Sequence, residues 1–136
     1  MVLYRPIGYA ELRLIVAAAF RGFPPRLAHQ PIFYPVLHIE YARAIARDWN
    51  TQDAASGYAG FVTRFRVADA FVCRYSVRVV GSSRHEELWI PAEDLSEFNR
   101  HLEGAIEVVE SYVGPQFCGR IDSKTHLPID LHPSTP

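Results

Sequence analysis

The chain has 136 residues, of which 49% are hydrophobic and 21% charged, and its formal net charge is −1. These values are typical of one globular domain with its own core, and they exclude a disordered chain or two domains of ordinary size. A charge so close to zero provides no basic field of the kind that nucleic-acid-binding proteins carry.

Cellular location is predicted from the cysteines and the apolar runs. Cys73 and Cys118 stand apart without a CxxC spacing, as expected of reduced thiols in a cytoplasmic protein. The longest apolar run, residues 14–20, is seven residues long. It is too short for a membrane span, so we expect a cytoplasmic protein without a membrane partner.

The first third of the chain alternates strand and helix signals. Residues 2–8 predict a strand that ends at a proline and a glycine. Apolar residues then recur at helical spacing, and Gly22 stands where a helix C-cap is expected; they are Leu12, Ile15, Val16, Ala19 and Phe20. Residues 23–31 are too rich in proline for regular structure, and residues 32–36 predict a second strand.

The middle of the chain predicts a helix followed by three strands. Ala42, Ile45, Ala46 and Trp49 form the apolar stripe of that helix, which ends near Asn50. The alternating pattern of apolar and polar residues predicts strands over three ranges: residues 58–67, 71–81 and 86–90.

A helix, a strand and a tail complete the chain. Pro91 suits a first helical turn, and Leu95, Phe98 and Leu102 then face the core. Residues 105–113 predict the last strand, and residues 114–136 predict an extended tail that packs on a single domain over residues 1–113. The order of elements predicts a mixed α+β domain with mainly antiparallel strands.

Several familiar kinds of site are missing from the sequence. No glycine-rich phosphate-binding loop is found, and no serine has the surroundings of a nucleophile elbow. The stretch HEELW begins like a zinc-binding helix, but Trp89 stands where the second histidine is required. The six histidines show no ligand spacing, so we expect no metal site.

Four residues remain as candidates for a site: Arg5, Tyr34, Tyr41 and Glu87. Taken singly, each has an ordinary explanation as a surface or half-buried side chain. Alternation along residues 86–90 places Glu87 and Trp89 on the strand face opposite Leu88, where a carboxylate can point into a cleft. Glu86 falls on the face of Leu88, and we expect it to be a solvated strand end.

Four stretches carry a resemblance to a protein family: LYRPIG, FPPRLAHQPIFYPVLHIEYARAIARDWN, YAGFVTRFRV and HEELWIPAEDLSEFN. They resemble small bacterial proteins labelled ADP-ribosylation/crystallin type, which are similar to compact ADP-ribosyltransferases. The resemblance implies two small, mainly antiparallel sheets around a cleft, with flanking helices. It implies that Arg5 holds NAD, that Tyr34 or Tyr41 stacks on nicotinamide, and that Glu87 is the catalytic residue at the nicotinamide ribose.

The function implied is NAD-dependent ADP-ribosyl transfer or NAD glycohydrolysis, with NAD as substrate and no metal. His85 stands two residues before Glu87, where family members that modify arginine carry glutamate or glutamine. The acceptor therefore stays open among proteins, nucleic acids and small molecules. Two alternatives remain: a catalytically silent nucleotide-binding or protein-interaction domain on the same fold, and an RNA 2′-phosphotransferase, which the near-neutral charge disfavours.

Overall fold

A computed structural model describes residues 1–131 of the chain. Within this range the strands are β1 (Val2–Ile7), β2 (Ile32–Phe33), β3 (Ala59–Arg66), β4 (Val77–Val79), β5 (Glu86–Leu88), β6 (Ile90–Pro91) and β7 (Glu107–Val113). The α-helices are α1 (Tyr9–Ala17), α2 (Ile39–Asp48), α3 (Asp69–Val72) and α4 (Leu95–Arg100). Short 3-10 helices span Asn50–Gln52, Ala54–Ser56 and Ala92–Asp94.

The strands of residues 1–131 form one three-stranded sheet, in the order β1-β3-β7, and two two-stranded pairs, β2-β6 and β4-β5. All of these pairings are antiparallel. The prediction of an α+β protein with small antiparallel sheets and several helices is confirmed. The ADP-ribosyltransferase-like architecture stays a prediction.

Strand β3 is the centre of the domain because both of its faces are covered. Phe61 and Phe65 point into the larger hydrophobic core, whereas Val62 packs in a second cluster with Ala42 and Ala46 of α2. The alternation in the sequence indicated a half-buried strand. The structure instead buries five consecutive residues of β3, from Ala59 to Thr63, as expected when a helix closes the second face of a sheet.

The larger core contains a cluster of aromatic rings. It is formed by Phe23, Phe33, Phe65, Phe71 and Phe98, which pack edge-on or tilted with centroids 4.8–6.3 Å apart. Offset and edge-to-face contacts of this kind are favoured by the charge distribution of the rings. The cluster fixes β2 and the loop before it against the three-stranded sheet.

Two predicted elements are wrong in their extent. Helix α1 ends at Ala17, because Ala19 and Phe20 adopt left-handed backbone angles, with φ of 56° and 61°. The amides of Ala19 and Phe20 donate to Val16 and Ile15, which is the Schellman pattern that ends a helix, and Gly22 is not its cap. In the predicted strand 71–81, the first residues belong instead to α3, so that Phe71 and Val72 are both buried, and β4 is limited to three residues.

Three smaller predictions also need correction. Trp49 is 59% exposed and leaves the apolar face of α2. The strand predicted over residues 32–36 pairs with β6 only at Ile32 and Phe33. Pro91 lies in β6 and not in a helical turn, because the α-helix begins at Leu95 after a 3-10 turn.

The tail from residue 114 to residue 131 consists of turns that contact the domain. Leu127 is buried in the larger core, and Phe117, Ile121 and Leu131 pack against that core. The hydroxyl of Tyr9 in α1 donates to the carboxylate of Asp130. The predicted tail also includes residues 132–136, which lie outside the described residues.

None of the helices in residues 1–131 combines the length and the apolar character that a membrane span requires.

Candidate functional site

The segment before α2 places the candidate residues side by side. Val36 forms a bridge to Tyr4 of β1 on one side and to Glu87 of β5 on the other. Its amide donates to the Tyr4 carbonyl at 2.8 Å, and the Leu88 amide donates to the Pro35 carbonyl at 2.9 Å. A single extended residue therefore connects the strand that carries Arg5 with the strand that carries Glu87.

Glu87 is the most constrained carboxylate of this region. It is 7% exposed. The indole Nε1 of Trp89 donates to its Oε1 at 2.7 Å, and the hydroxyl of Tyr41 donates to its Oε2 at 3.1 Å. Glu87 forms no ion pair within residues 1–131. Its negative charge is thus held by two neutral donors.

Arg78 lies opposite Glu87 in the β4-β5 pairing, but its guanidinium contacts the Trp89 ring instead of pairing with that carboxylate. Its guanidinium carbon lies 4.6 Å from the centre of the Trp89 ring, which is a cation–π contact. The same indole therefore contacts Arg78 through its face and Glu87 through its N–H. This arrangement keeps a positive charge near the carboxylate without an ion pair to it.

Tyr41 lies behind Glu87, since it is not among the residues that line the cavity next to the carboxylate. Burial, and then the charge and hydrogen bond of Glu87, raise the pKa of Tyr41, so its hydroxyl stays protonated as a donor at neutral pH. The imidazole of His85 stacks on the Tyr41 ring, with centroids 4.3 Å apart and planes 9° from parallel. One face of Tyr41 is therefore covered by His85.

Arg5 is buried, at 9% exposure, and its guanidinium is engaged. Nε and Nη2 donate to the two carboxylate oxygens of Glu11 at 2.7 and 2.9 Å, which is a bidentate pair. The Arg5 guanidinium carbon also lies 4.6 Å from the centre of the Phe33 ring. Only Nη1 points elsewhere, with a long 3.5 Å contact to the Tyr34 carbonyl.

A cavity of about 400 Å³ brings three of the four predicted residues together. Its lining includes Arg5, Tyr34 and Glu87, together with Trp89. The Tyr34 and Trp89 rings meet edge to face, with centroids 6.0 Å apart. The cavity therefore has a carboxylate on one side and a half-exposed aromatic wall. The roles of Arg5, Tyr34, Tyr41 and Glu87 toward a ligand stay predictions.

Glu86 differs from the solvated strand end that the sequence suggested. Its Oε1 lies 2.6 Å from Nε2 of His38, and both side chains are half-buried. The pairing arises because the chain before α2 runs alongside β5, with the Leu37 amide donating to the Glu86 carbonyl at 3.0 Å. The two adjacent glutamates thus have separate partners on opposite faces of one strand.

Sequence reasoning did not assign roles to Trp89, His85 and Glu11. The alternation along residues 86–90 already placed Trp89 on the face of Glu87, so its contact with the carboxylate could have been predicted. The pairing of Glu11 with Arg5 depends on the angle between α1 and β1, which no local pattern reveals. Within residues 1–131 no group of three or more histidine, cysteine or acidic side chains is arranged to hold a metal ion.

Comparison of the chain with protein-family models, with curated proteins and with solved structures finds no match.

Proposed function

We propose that this protein cleaves the nicotinamide–ribose bond of NAD, either transferring ADP-ribose to an acceptor or hydrolysing NAD. The observation that supports this proposal best is the state of Glu87. Its carboxylate is buried beside a cavity and oriented by two neutral donors, and no cation pairs with it within residues 1–131. A buried charge of this kind has an electrostatic effect that solvent screens only weakly.

Cleavage of a bond between a ribose and a nitrogen base creates positive charge on the sugar, as in glycoside hydrolysis. A carboxylate that accepts a hydrogen bond from a ribose hydroxyl binds more tightly as this charge develops. The interaction is therefore stronger in the transition state than in the ground state, which is the requirement for catalysis. In the proposed reaction Glu87 has this role.

Trp89 and Tyr41 orient the carboxylate in this scheme. Each donates one hydrogen bond to a different oxygen of Glu87, so the carboxyl plane is fixed. An arginine or lysine in the same positions would neutralise the charge that the transition state needs. Neutral donors provide the orientation and leave the charge in place.

The aromatic wall suits a planar leaving group. Tyr34 and Trp89 line the cavity of about 400 Å³, which is within the range of small-molecule sites. Aromatic faces exclude water and orient a flat ring. We propose that nicotinamide leaves along Tyr34, because Tyr41 is covered on one face by His85.

A second candidate function is a binding domain on the same fold without catalysis. Two contacts favour it: the bidentate pair between Arg5 and Glu11, and the stack of His85 on Tyr41. Both contacts occupy groups that the family resemblance assigns to NAD. A domain that had lost the reaction could keep Glu87 as a structural carboxylate.

Incubation of the purified protein with NAD tests the two candidates. Release of nicotinamide with free ADP-ribose indicates glycohydrolysis, and nicotinamide release that increases when an acceptor is added indicates transfer. NAD binding, followed by calorimetry, without any nicotinamide release supports the binding domain. If the protein neither binds NAD nor releases nicotinamide, both candidate functions are refuted.

A further inference from the structure

A second and larger cavity adjoins the one beside Glu87. Its volume is about 500 Å³, and Arg5 and Pro6 line both cavities. The larger cavity extends from there over the first turn of α1, the loop that contains Arg26, and the 3-10 turns after α2. The two cavities are therefore neighbours, with Arg5 and Pro6 in the lining of both.

Arg26 is the cation of the larger cavity that has no acidic partner. Its Nε donates to the Ile32 carbonyl at 3.2 Å, and it forms no ion pair within residues 1–131. Burial, and next the charge of Arg5, lower the pKa of Arg26, whereas Glu11 acts in the opposite direction. Glu11 pairs with Arg5, so Arg26 is the arginine of this lining that has no ion pair within residues 1–131, and burial partly desolvates it.

We propose that the larger cavity binds the phosphate groups of a nucleotide and that Arg26 is the residue that contacts them. The choice of a nucleotide rests on the proposed function. The resemblance assigned the task of holding NAD to Arg5, but the fork of Arg5 is already paired with Glu11. The Nε of Arg26 donates to the Ile32 carbonyl, but its Nη1 and Nη2 have no hydrogen-bond partner within residues 1–131, and planar guanidinium groups bind phosphate oxygens in pairs.

The start of α1 adds to the attraction for an anion. Gly8 is the N-cap of this nine-residue helix, and no side chain caps it. Gly8, Ala10 and Glu11 of the first turn line the cavity. The amides of a first turn have no partners within the helix, and they favour a negative charge nearby.

Asn50 provides a place for the nucleoside. Its side chain lines the same cavity and is 4% exposed, and its Nδ2 donates to Oγ of Ser56 at 2.9 Å. Its Oδ1 has no hydrogen-bond partner within residues 1–131. A buried acceptor without a donor is unfavourable. In the proposed complex an N–H or O–H group of a base or ribose donates to Oδ1, which requires the Asn50 side chain to turn toward the cavity because Oδ1 is buried.

Calorimetry with ADP tests the inference, since ADP has the phosphates and nucleoside that the larger cavity is proposed to bind and lacks nicotinamide. Removal of a charged donor from a phosphate costs roughly 10- to 100-fold in affinity, so we expect Arg26→Gln to weaken ADP binding by about that factor. Arg26→Lys keeps the charge without the fork, and we expect an intermediate loss. Arg21→Gln is the matched control, because Arg21 is an exposed arginine that does not line the cavity.

The outcomes separate this inference from the proposed function. Weaker binding by Arg26→Gln alone supports the inference, and tighter binding of ADP than of inorganic pyrophosphate supports the role of Asn50. Equal losses for the Arg26 and Arg21 variants, or no binding of ADP at millimolar concentration by the wild type, overturn it. If ADP binding depends on Arg26 but NAD is not cleaved, the phosphate site is supported and the proposed function is refuted. If Arg26→Gln and Arg26→Lys leave both NAD cleavage and ADP affinity unchanged, the proposed function stands and the phosphate site at Arg26 is refuted.

Discussion

Replacement of Glu87 by glutamine tests whether its charge is catalytic. Glutamine has nearly the same volume and keeps one acceptor oxygen, and the Tyr41 hydroxyl can rotate to accept a hydrogen bond from the new amide. We therefore expect the Glu87→Gln variant to fold, with a free energy of unfolding within about 1 kcal/mol of the wild type.

The size of the effect on rate follows from the burial of the carboxylate. A full charge about 4 Å from the developing cation contributes about 4 kcal/mol at an effective dielectric constant of about 20. That energy corresponds to a factor of about 10³ in rate. Since the glutamine dipole retains part of the interaction, we expect the rate constant of nicotinamide release to fall by about 10² to 10³.

The assay is nicotinamide release at saturating NAD, with NAD affinity measured separately by calorimetry. Affinity should change much less than turnover, because the charge acts mainly in the transition state. Glu86→Gln is the matched control: it changes the adjacent glutamate, whose partner is His38 on the other face of β5. We expect that variant to keep its rate within about a factor of two, since this partly exposed pair lies on the other face of β5 and such pairs contribute little.

Two results would refute the reasoning about Glu87. Turnover by Glu87→Gln at more than a tenth of the wild-type rate would show that another group stabilises the transition state. An equal loss of turnover in both glutamine variants would show that the strand, and not the carboxylate, was disturbed. Thermal unfolding of each variant distinguishes these results from simple loss of the fold.

Other parts of the structure lead to further predictions. Trp89→Phe and Tyr41→Phe each remove one donor from the carboxylate, and we expect each to lower kcat about 10-fold with little change in KM; a larger effect on KM would contradict a positioning role. Ala19→Gly relieves a left-handed backbone angle, and urea unfolding should show about 0.5–1 kcal/mol more stability, whereas a loss would contradict the strain. Burial and a hydrogen bond to Asp94 raise the pKa of Tyr75 from 10.0 to about 12. Because this raised pKa favours the folded state below pH 10, the wild type should lose stability between pH 10 and about 12. Thermal melts of Tyr75→Phe should show a smaller loss of stability over the same pH range. Equal losses in the variant and the wild type would contradict the raised pKa of Tyr75.

The secondary structure could be predicted where the spacing of apolar residues in the sequence matches the burial of those residues in the structure. Strand β1, helix α2 and strand β7 were expected from their patterns and are present close to the predicted positions. The prediction of a strand over residues 71–81 was wrong at its start, because apolar and polar residues do not alternate there. A helical turn there buries Phe71 and Val72 together, whereas adjacent residues of a strand point to opposite faces and are both buried only where both faces of the sheet are covered. That choice is made by the aromatic core and not by local preference.

The sequence singled out three residues that line one cavity in the structure, Arg5, Tyr34 and Glu87, whereas Tyr41 does not line it. The roles of all four residues stay predictions. Residues distant in sequence decide whether the side chains of Arg5 and Tyr41 are available to a ligand or already paired. Glu11 pairs with Arg5, and His85 covers Tyr41. Such pairings depend on the tertiary arrangement, which a single sequence does not encode in any short motif.

Because Val36 forms bridges to both Tyr4 of β1 and Glu87 of β5, its backbone sets the width of the cleft. Two neighbouring strand spacings amount to about 10 Å, so the walls that carry Arg5 and Glu87 are held at a distance that side-chain motion cannot change. The amides of Tyr4, Val36, Leu37 and Leu88 form the hydrogen bonds that maintain this spacing. If the cleft opens only by local unfolding, hydrogen exchange of these four amides should give one common free energy of opening. Hydrogen exchange would then report the rigidity of the site in the absence of any ligand.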